Sequence, residues 1–360
     1  MSSDVERIKE IIQEYNEKYE QRYGKVELSA PLDEKEIVRW ENENSFKLPD
    51  EYRDWLKYTG KTVMPFLKME FYSPSDFILG EDYIKIGEND KYDIVISKID
   101  KDIYSVRDGE PSHEFLTLLF SFWLMDVERI SKLQDHQDEI RPVLKNEIQT
   151  MMGQLKKALL PESGADEAFG YFLSRHIVSY LNYDGKYPTA VIRKETLDPE
   201  MIVAGPNKSG WYQWKPKKIT KKIDFEEVES KLGFKVHKEI KEFISSYYYY
   251  MIDGSGKGYN FHRYGMTPYH SLEGSLISSF DKGYGGSYRK FVDGQYFHLG
   301  SGCIKGDDSY IFEVDNITGE VYAVEYGDKT CIKVAPSLKA FFLNLIPIFE
   351  DSKGFMQMCK

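Results

Sequence analysis

Apolar residues Val5, Ile8, Ile11, Ile12, Tyr15 and Tyr19 recur at helical spacing and predict an amphipathic opening helix. A second helix starts at Leu32-Asp33, with Asp33 as cap and Glu36, three residues on, as its capping-box partner. A third begins at Pro49, a residue suited to a first helical turn, and stops at Gly60. The period then shortens. Phe66 to Tyr72, Tyr83 to Ile86, Ile94 to Ile99 and Ile103 to Val106 read as strands, closed by an apolar helix from about His113 to Met125. Ile130, Leu133, Ile140, Val143, Leu144, Ile148, Met151, Met152 and Leu155 give a further helical stripe, and Pro161-Glu-Ser-Gly-Ala165 breaks the chain after it.

The order then begins again. A helix through Phe169, Phe172, His176, Ile177 and Tyr180 precedes a Pro/Gly-punctuated stretch ending in Trp211-Tyr-Gln-Trp214. Asp224 caps Phe225 to Leu232, and a helix is predicted from about His237 to Tyr250. Asp253 to Gly258 and Gly283 to Gly286 read as glycine-rich loops. Strands follow at Tyr296 to Leu299, Tyr310 to Val314, Glu320 to Tyr326 and Cys331 to Val334, with Asn316-Ile-Thr-Gly319 as a turn. Ala335-Pro-Ser-Leu338 opens a closing helix through Phe341, Phe342, Leu345 and Ile346. Helices first and consecutive strands afterwards predict an α+β fold, with an antiparallel or mixed sheet in each half.

The halves also share residues. Ser45-Phe-Lys-Leu-Pro-Asp-Glu-Tyr-Arg-Asp-Trp-Leu56 is matched in character by Gly233-Phe-Lys-Val-His-Lys-Glu-Ile-Lys-Glu-Phe-Ile244. Phe46/Phe234, Lys47/Lys235 and Glu51/Glu239 are identical at a constant offset, and Arg53/Lys241, Trp55/Phe243 and Leu56/Ile244 keep charge or bulk. A second echo pairs Tyr83-Ile-Lys-Ile-Gly87 with Tyr296-Phe-His-Leu-Gly300. Two diverged copies of one domain account for both, with residues 1–125 as the first, 126–163 as a helical extension and 164–360 as the second.

At these residues the chain resembles the SUKH superfamily. Through Leu48-Pro-Asp-Glu-Tyr52-Arg-Asp-Trp-Leu56 the first half resembles its cell-wall assembly regulator branch, although Thr59-Gly60 replaces the usual Asn-Gly. Through Trp211-x-x-Trp214-x-Pro216, Asp224-Phe225, Leu232-Gly233, Thr318-Gly319-Glu-Val321 and Ala335-Pro-Ser-Leu338 the second half resembles Syd, which binds the SecY translocase. The resemblance implies two homologous SUKH-like domains. Its structural motif positions would be Phe46, Leu48, Pro49, Tyr52, Trp55, Leu56, Gly87, Trp214, Phe234, Phe243, Gly300 and Gly319. It further implies a bacterial source and a protein-binding role such as toxin immunity.

Charge narrows the class of partner. The chain carries a net charge of −11, all of it on residues 1–163, which hold 34 acids and 23 bases. Such a field repels nucleic acid and favours a cationic protein partner, although solubility alone would also use it. Glu81, Asp82, Glu88, Asp90 and Asp93, around an expected turn at Gly87, are the candidate docking edge. Tyr247 to Tyr250 on a helix cannot all face one core, so Tyr248 and Tyr249 are candidate contact residues, with packing against 126–160 as the alternative.

Little in the chain suggests chemistry. Seven histidines lack metal spacing, and His237 at a helix start reads as structural. Asp253-Gly-Ser-Gly-Lys-Gly258 lacks the phosphate-loop register, and Asp307-Asp308 reads as a turn former. Cys303, Cys331 and Cys359 form no framework. No secretion signal is visible, and Phe115 to Met125 is too short to span a bilayer, which predicts a cytoplasmic protein. The expectation is a cofactor-free binding protein and not an enzyme: an immunity protein occluding a toxin with a cationic surface. The alternatives are Syd-like docking on a basic cytoplasmic loop and an enzyme using an interdomain cleft.

Overall fold

A computed structural model describes residues 3–107, 110–280, 296–304, 307–325 and 331–350. The chain divides into two units, residues 1–135 and 136–360. In the first, α1 (Ser3–Tyr23) buries the predicted stripe from Val5 to Tyr15. After β1 (Glu27–Leu28), α2 (Glu34–Asn44) starts on a complete capping box: Asp33 Oδ1 accepts the Glu36 N–H at 2.8 Å and Glu36 Oε2 accepts the Asp33 N–H at 3.1 Å. Next come α3 (Asp50–Tyr58), β2 (Thr62–Met64), β3 (Met69–Phe71), β4 (Ile78–Leu79), β5 (Tyr83–Glu88), β6 (Asp93–Ser97), β7 (Ile103–Arg107) and β8 (Glu110–Glu114). The closing α4 spans Leu116–Asp135, so His113 lies in a strand and the helix runs a further ten residues beyond Met125. The sheet is antiparallel, ordered β1-β2-β3-β5-β6-β7-β8, with β4 paired onto β5.

The second unit opens with α5 (Gln137–Ala158) and α6 (Ala165–Asp184). Ile140, Leu144, Ile148 and Met151 of α5 pack against Ile177, Val178 and Leu181 of α6. The segment 126–163 is therefore divided: its first ten residues complete α4 and the rest belongs to the second unit. A small sheet of β9 (Thr189–Val191), β10 (Ile202–Ala204) and β11 (Trp211–Trp214) follows, then β12 (Lys217–Lys218), α7 (Phe225–Leu232), α8 (Lys238–Ile244) and β13 (Tyr247–Tyr248). The main elements are β14 (Met251–Gly256), β15 (Tyr259–Tyr264), α9 (Leu272–Phe280), β16 (Tyr296–Ile304), β17 (Asp307–Asp315), β18 (Val321–Glu325), β19 (Cys331–Ala335), α10 (Leu338–Asn344) and β20 (Ile346–Pro347). This sheet is also antiparallel, ordered β19-β18-β17-β16-β15-β14-β20. The α+β expectation holds.

Two sequence readings in this unit are corrected. The helix from His237 stops at Ile244, where Ser246 Oγ donates to the Phe243 carbonyl at 2.6 Å and the tyrosine run turns extended. Aromatic residues suit a strand's alternating pleat better than a helix surface. Asp253 to Gly258 is no loop either. Gly256 pairs with Tyr259, leaving Lys257-Gly258 as a two-residue hairpin turn with Gly258 at φ 80°. The predicted loop at Gly283 to Gly286, and Cys359, lie outside the described residues.

The two units follow one plan. In each, a long helix (α1 or α6) packs on the echo helix (α3 or α8) and on the closing helix (α4 or α10). The strand path β2-β3-β5-β6-β7-β8 has the same order as β14-β15-β16-β17-β18-β19. Beneath the echoes sit matching backbone contacts. Glu41, late in α2, accepts the Leu48 N–H at 2.9 Å and pairs with Arg53; Glu229, late in α7, accepts the Val236 N–H at 3.0 Å and pairs with Lys241. Glu51 accepts the Leu116 N–H at the start of α4, and Glu239 accepts the Lys339 N–H at the start of α10, both at 3.0 Å. Each carboxylate satisfies an amide that no helix or ladder bond reaches. Preceding these contacts, Ser45 and Gly233 both end their helices in the left-handed region, at φ 50° and 78°.

The remaining motif positions are likewise structural. Pro49 and His237 hold the next helix starts at φ −55° and −56°, and His237 Nδ1 accepts the Glu239 N–H at 3.3 Å. Leu48, Tyr52, Trp55, Leu56, Trp214 and Phe243 are buried, while Phe46 and Phe234 are partly so. Trp55 packs on Phe120 at 5.1 Å between ring centroids, and Phe243 on Phe342 at 5.2 Å. Gly87 is not a turn: it lies within β5, as Gly300 lies within β16, each beside a register shift. A methyl at Gly87 would collide with the Glu70 carbonyl of β3, and one at Gly300 with the His262 carbonyl of β15. Gly319, at φ 76°, closes the predicted turn against the His237 ring.

Candidate partner-binding surface

Residues 1–135 hold 30 acids and 19 bases, and residues 136–360 hold 29 of each, so the whole charge imbalance falls on the first unit. The five candidate acids there do not form one edge. Glu81 and Asp82 precede β5 and Glu88 ends it, a separation of roughly 20 Å along a six-residue strand. Glu88 and Asp93 both pair with Lys85, at 2.5 and 2.8 Å, so that one ammonium offsets part of their joint charge. Those two carboxylates keep the Lys85 ammonium protonated well above its ordinary range, outweighing its own desolvation.

Asp90 occupies the β5–β6 turn and faces a different neighbourhood. It lines a shallow cleft of about 180 Å³ with Tyr92, Glu114, Phe122, Trp123 and Asp126. Burial raises the Tyr92 phenol first, and the Glu114, Asp126 and Asp90 carboxylates around it raise it further. Asp126 is tied to Arg129 of its own helix at 3.2 Å. Three carboxylates and Lys91 therefore share one cleft with Tyr92, Phe122 and Trp123.

Beside this cleft α4, together with the residue before it, shows an apolar row that its sequence stripe does not reveal. Leu116, Leu119, Phe120, Trp123 and Val127 enter the core, whereas Phe115, Leu118, Phe122 and Met125 are 55, 41, 52 and 62% exposed. Their spacing of three, four and three residues places them along one helix face. A helix apolar on both sides either continues a core or meets another molecule. The signal was present in sequence as a long apolar run broken by Thr117 and Ser121, but which side packs inward depends on the sheet beneath.

Tyr248 and Tyr249 offer no contact surface. Both are buried in the second unit's core, where Tyr249 Oη accepts from Arg263 Nε at 2.8 Å. The neighbouring Tyr250 hydroxyl is also engaged, accepting the Asp198 N–H at 2.9 Å. No helix among the described residues is long and apolar enough to cross a membrane. Neither a protein-family model nor a curated protein matches the chain.

Proposed function

We propose that this chain is a binding protein made of two diverged copies of one SUKH-like domain, acting as an immunity protein that occludes a cognate toxin. The observation that carries the reading is the exposed row Leu118, Phe122 and Met125 of α4, with Phe115 just before it, beside the carboxylates Asp90, Glu114 and Asp126. Protein interfaces combine an apolar centre with a polar rim, and an acidic rim speeds encounter with a basic surface. A nuclease-like toxin, whose active site must attract phosphates, presents such a surface. The equal strand order of the two units supports duplication of a recognition fold. Cytoplasmic action follows from this reading.

The test is capture of the full-length chain's partner from its native host, identification by mass spectrometry, and kinetics with the purified pair. Phe122→Asp with Met125→Asp should accelerate dissociation, while Asp90→Lys with Glu114→Lys should slow association and flatten its salt dependence. A partner bound with unchanged kinetics by both variants would overturn the assignment of this surface. A captured partner that proves to be a substrate turned over by the chain would overturn the binding-protein reading itself.

A further inference from the structure

In the connection between its second and third main strands the second unit departs from the first, and there its described residues form a cleft. Between β3 and β5 the first unit places β4, which pairs onto β5. Between β15 and β16 the second unit places α9 instead. A cleft of about 260 Å³ opens among the three elements, lined by His262, Arg263, His270, His298 and hydroxyls including Ser275 and Ser301. Three of the chain's seven histidines and an arginine meet there, and no carboxylate lines it among the described residues, in a protein with 59 acids against 48 bases.

Arg263 is held as a fixed cation. Its Nε donates to Tyr249 Oη at 2.8 Å and its Nη1 to the His298 carbonyl at 2.9 Å and to the Leu299 carbonyl. The guanidinium lies 5.5 and 5.6 Å from the Phe243 and Phe297 ring centroids. No carboxylate among the described residues pairs with it, and Nη2 is left without a hydrogen bond. His270 Nδ1 accepts the Thr267 N–H at 3.0 Å, which assigns the proton of the neutral ring to Nε2 and makes that nitrogen a donor. Half-buried cation, imidazole donor and hydroxyls form an acceptor-poor, donor-rich lining, the complement of a tetrahedral oxyanion.

We propose that this cleft binds a small phosphate monoester, with Arg263 Nη2 and His270 Nε2 on the phosphate oxygens and His262 and Ser301 at the mouth. The inference is independent of the toxin-binding surface on the first unit. The probes are inorganic phosphate, glycerol phosphate and glycerol, titrated calorimetrically into the full chain. Glycerol phosphate is expected to bind saturably and glycerol not at all. Arg263→Gln, and separately His262→Ala with Ser301→Ala, should each weaken the ester by about tenfold or more, the effect of removing a charge-assisted donor. Because Arg263 also supports the core, the second variant decides if the first fails to fold. No saturable binding by the native chain, binding of inorganic phosphate alone, or an affinity unchanged in the His262/Ser301 variant would each overturn the proposal.

Discussion

Replacing Glu229 tests whether the shared carboxylate contact holds the fold. Its Oε1 lies 3.0 Å from the buried Val236 amide and 2.5 Å from Lys241 Nζ, and its Oε2 lies 2.7 Å from Lys235 Nζ. Glu229→Ala would leave that amide without an acceptor, at about 1–3 kcal/mol, and remove two lysine pairs worth about 0–1 kcal/mol because Lys235 is solvated. The expected loss is about 2 kcal/mol and no more than about 4. Lys235 first, then Lys241, pull the Glu229 carboxyl from 4.5 down to about 2. A carboxyl lowered by folding adds stability above its unfolded value, and that stability is lost as pH falls from about 4.5 toward about 2. Glu229→Gln keeps an acceptor but no charge, so its deficit against the native chain should shrink through that window. Urea unfolding read by hydrogen exchange at the Val236 amide isolates this unit from the other. Unchanged Val236 protection in Glu229→Ala, or a Gln deficit that does not narrow in acid, would refute the reasoning.

Trp55→Ala should cost about 3–5 kcal/mol in thermal melts of the first unit, as expected of a large buried ring packed on Phe120. Gly87→Ala and Gly300→Ala should each cost about 1–3 kcal/mol, because a methyl would meet the backbone of the neighbouring strand; denaturation midpoints equal to the native one would contradict that close approach. Burial raises the Asp253 carboxyl to about 6 and lowers the His176 imidazole to about 3. An acid raised by folding weakens the native state as pH climbs past its unfolded value, so Asp253→Asn should gain about 1–3 kcal/mol at pH 7.5 and nothing below about pH 4. A loss at pH 7.5 would mean instead that His176, 3.6 Å away, carries a proton and pairs with it.

The contrast between what the sequence revealed and what it hid has a physical basis. Helix starts were readable because caps act within three or four residues, as at Asp33/Glu36 and Asp224/Glu227. The Glu41/Glu229 contact repeats at the offset of the Phe46/Phe234 echo, so an identical residue just outside the matched segment was the available signal. The tyrosine run was misread because its rings were assigned helical angles, whereas the chain leaves the helix at Ser245. The cleft histidines had no spacing to find, since His262, His270 and His298 converge only through β15, α9 and β16.

The two units also separate what their common plan requires from what it can vary. Positions that agree satisfy backbone amides, fit a left-handed residue or bring strands close, and each carries a cost that any copy would incur: Glu41/Glu229, Glu51/Glu239, Ser45/Gly233, Gly87/Gly300. Among the features that differ are the surfaces proposed above for a partner and a ligand. The first unit keeps the −11 charge and bares one face of α4; the second is neutral and exchanges the β4 connection for α9. If the units arose by the proposed duplication, stability alone would give no reason for charge to collect on one of them and, on the other, a cleft with no carboxylate among its described lining residues. Divergent charge and connections over a retained set of backbone contacts are what the two proposed recognition sites on one fold would leave behind.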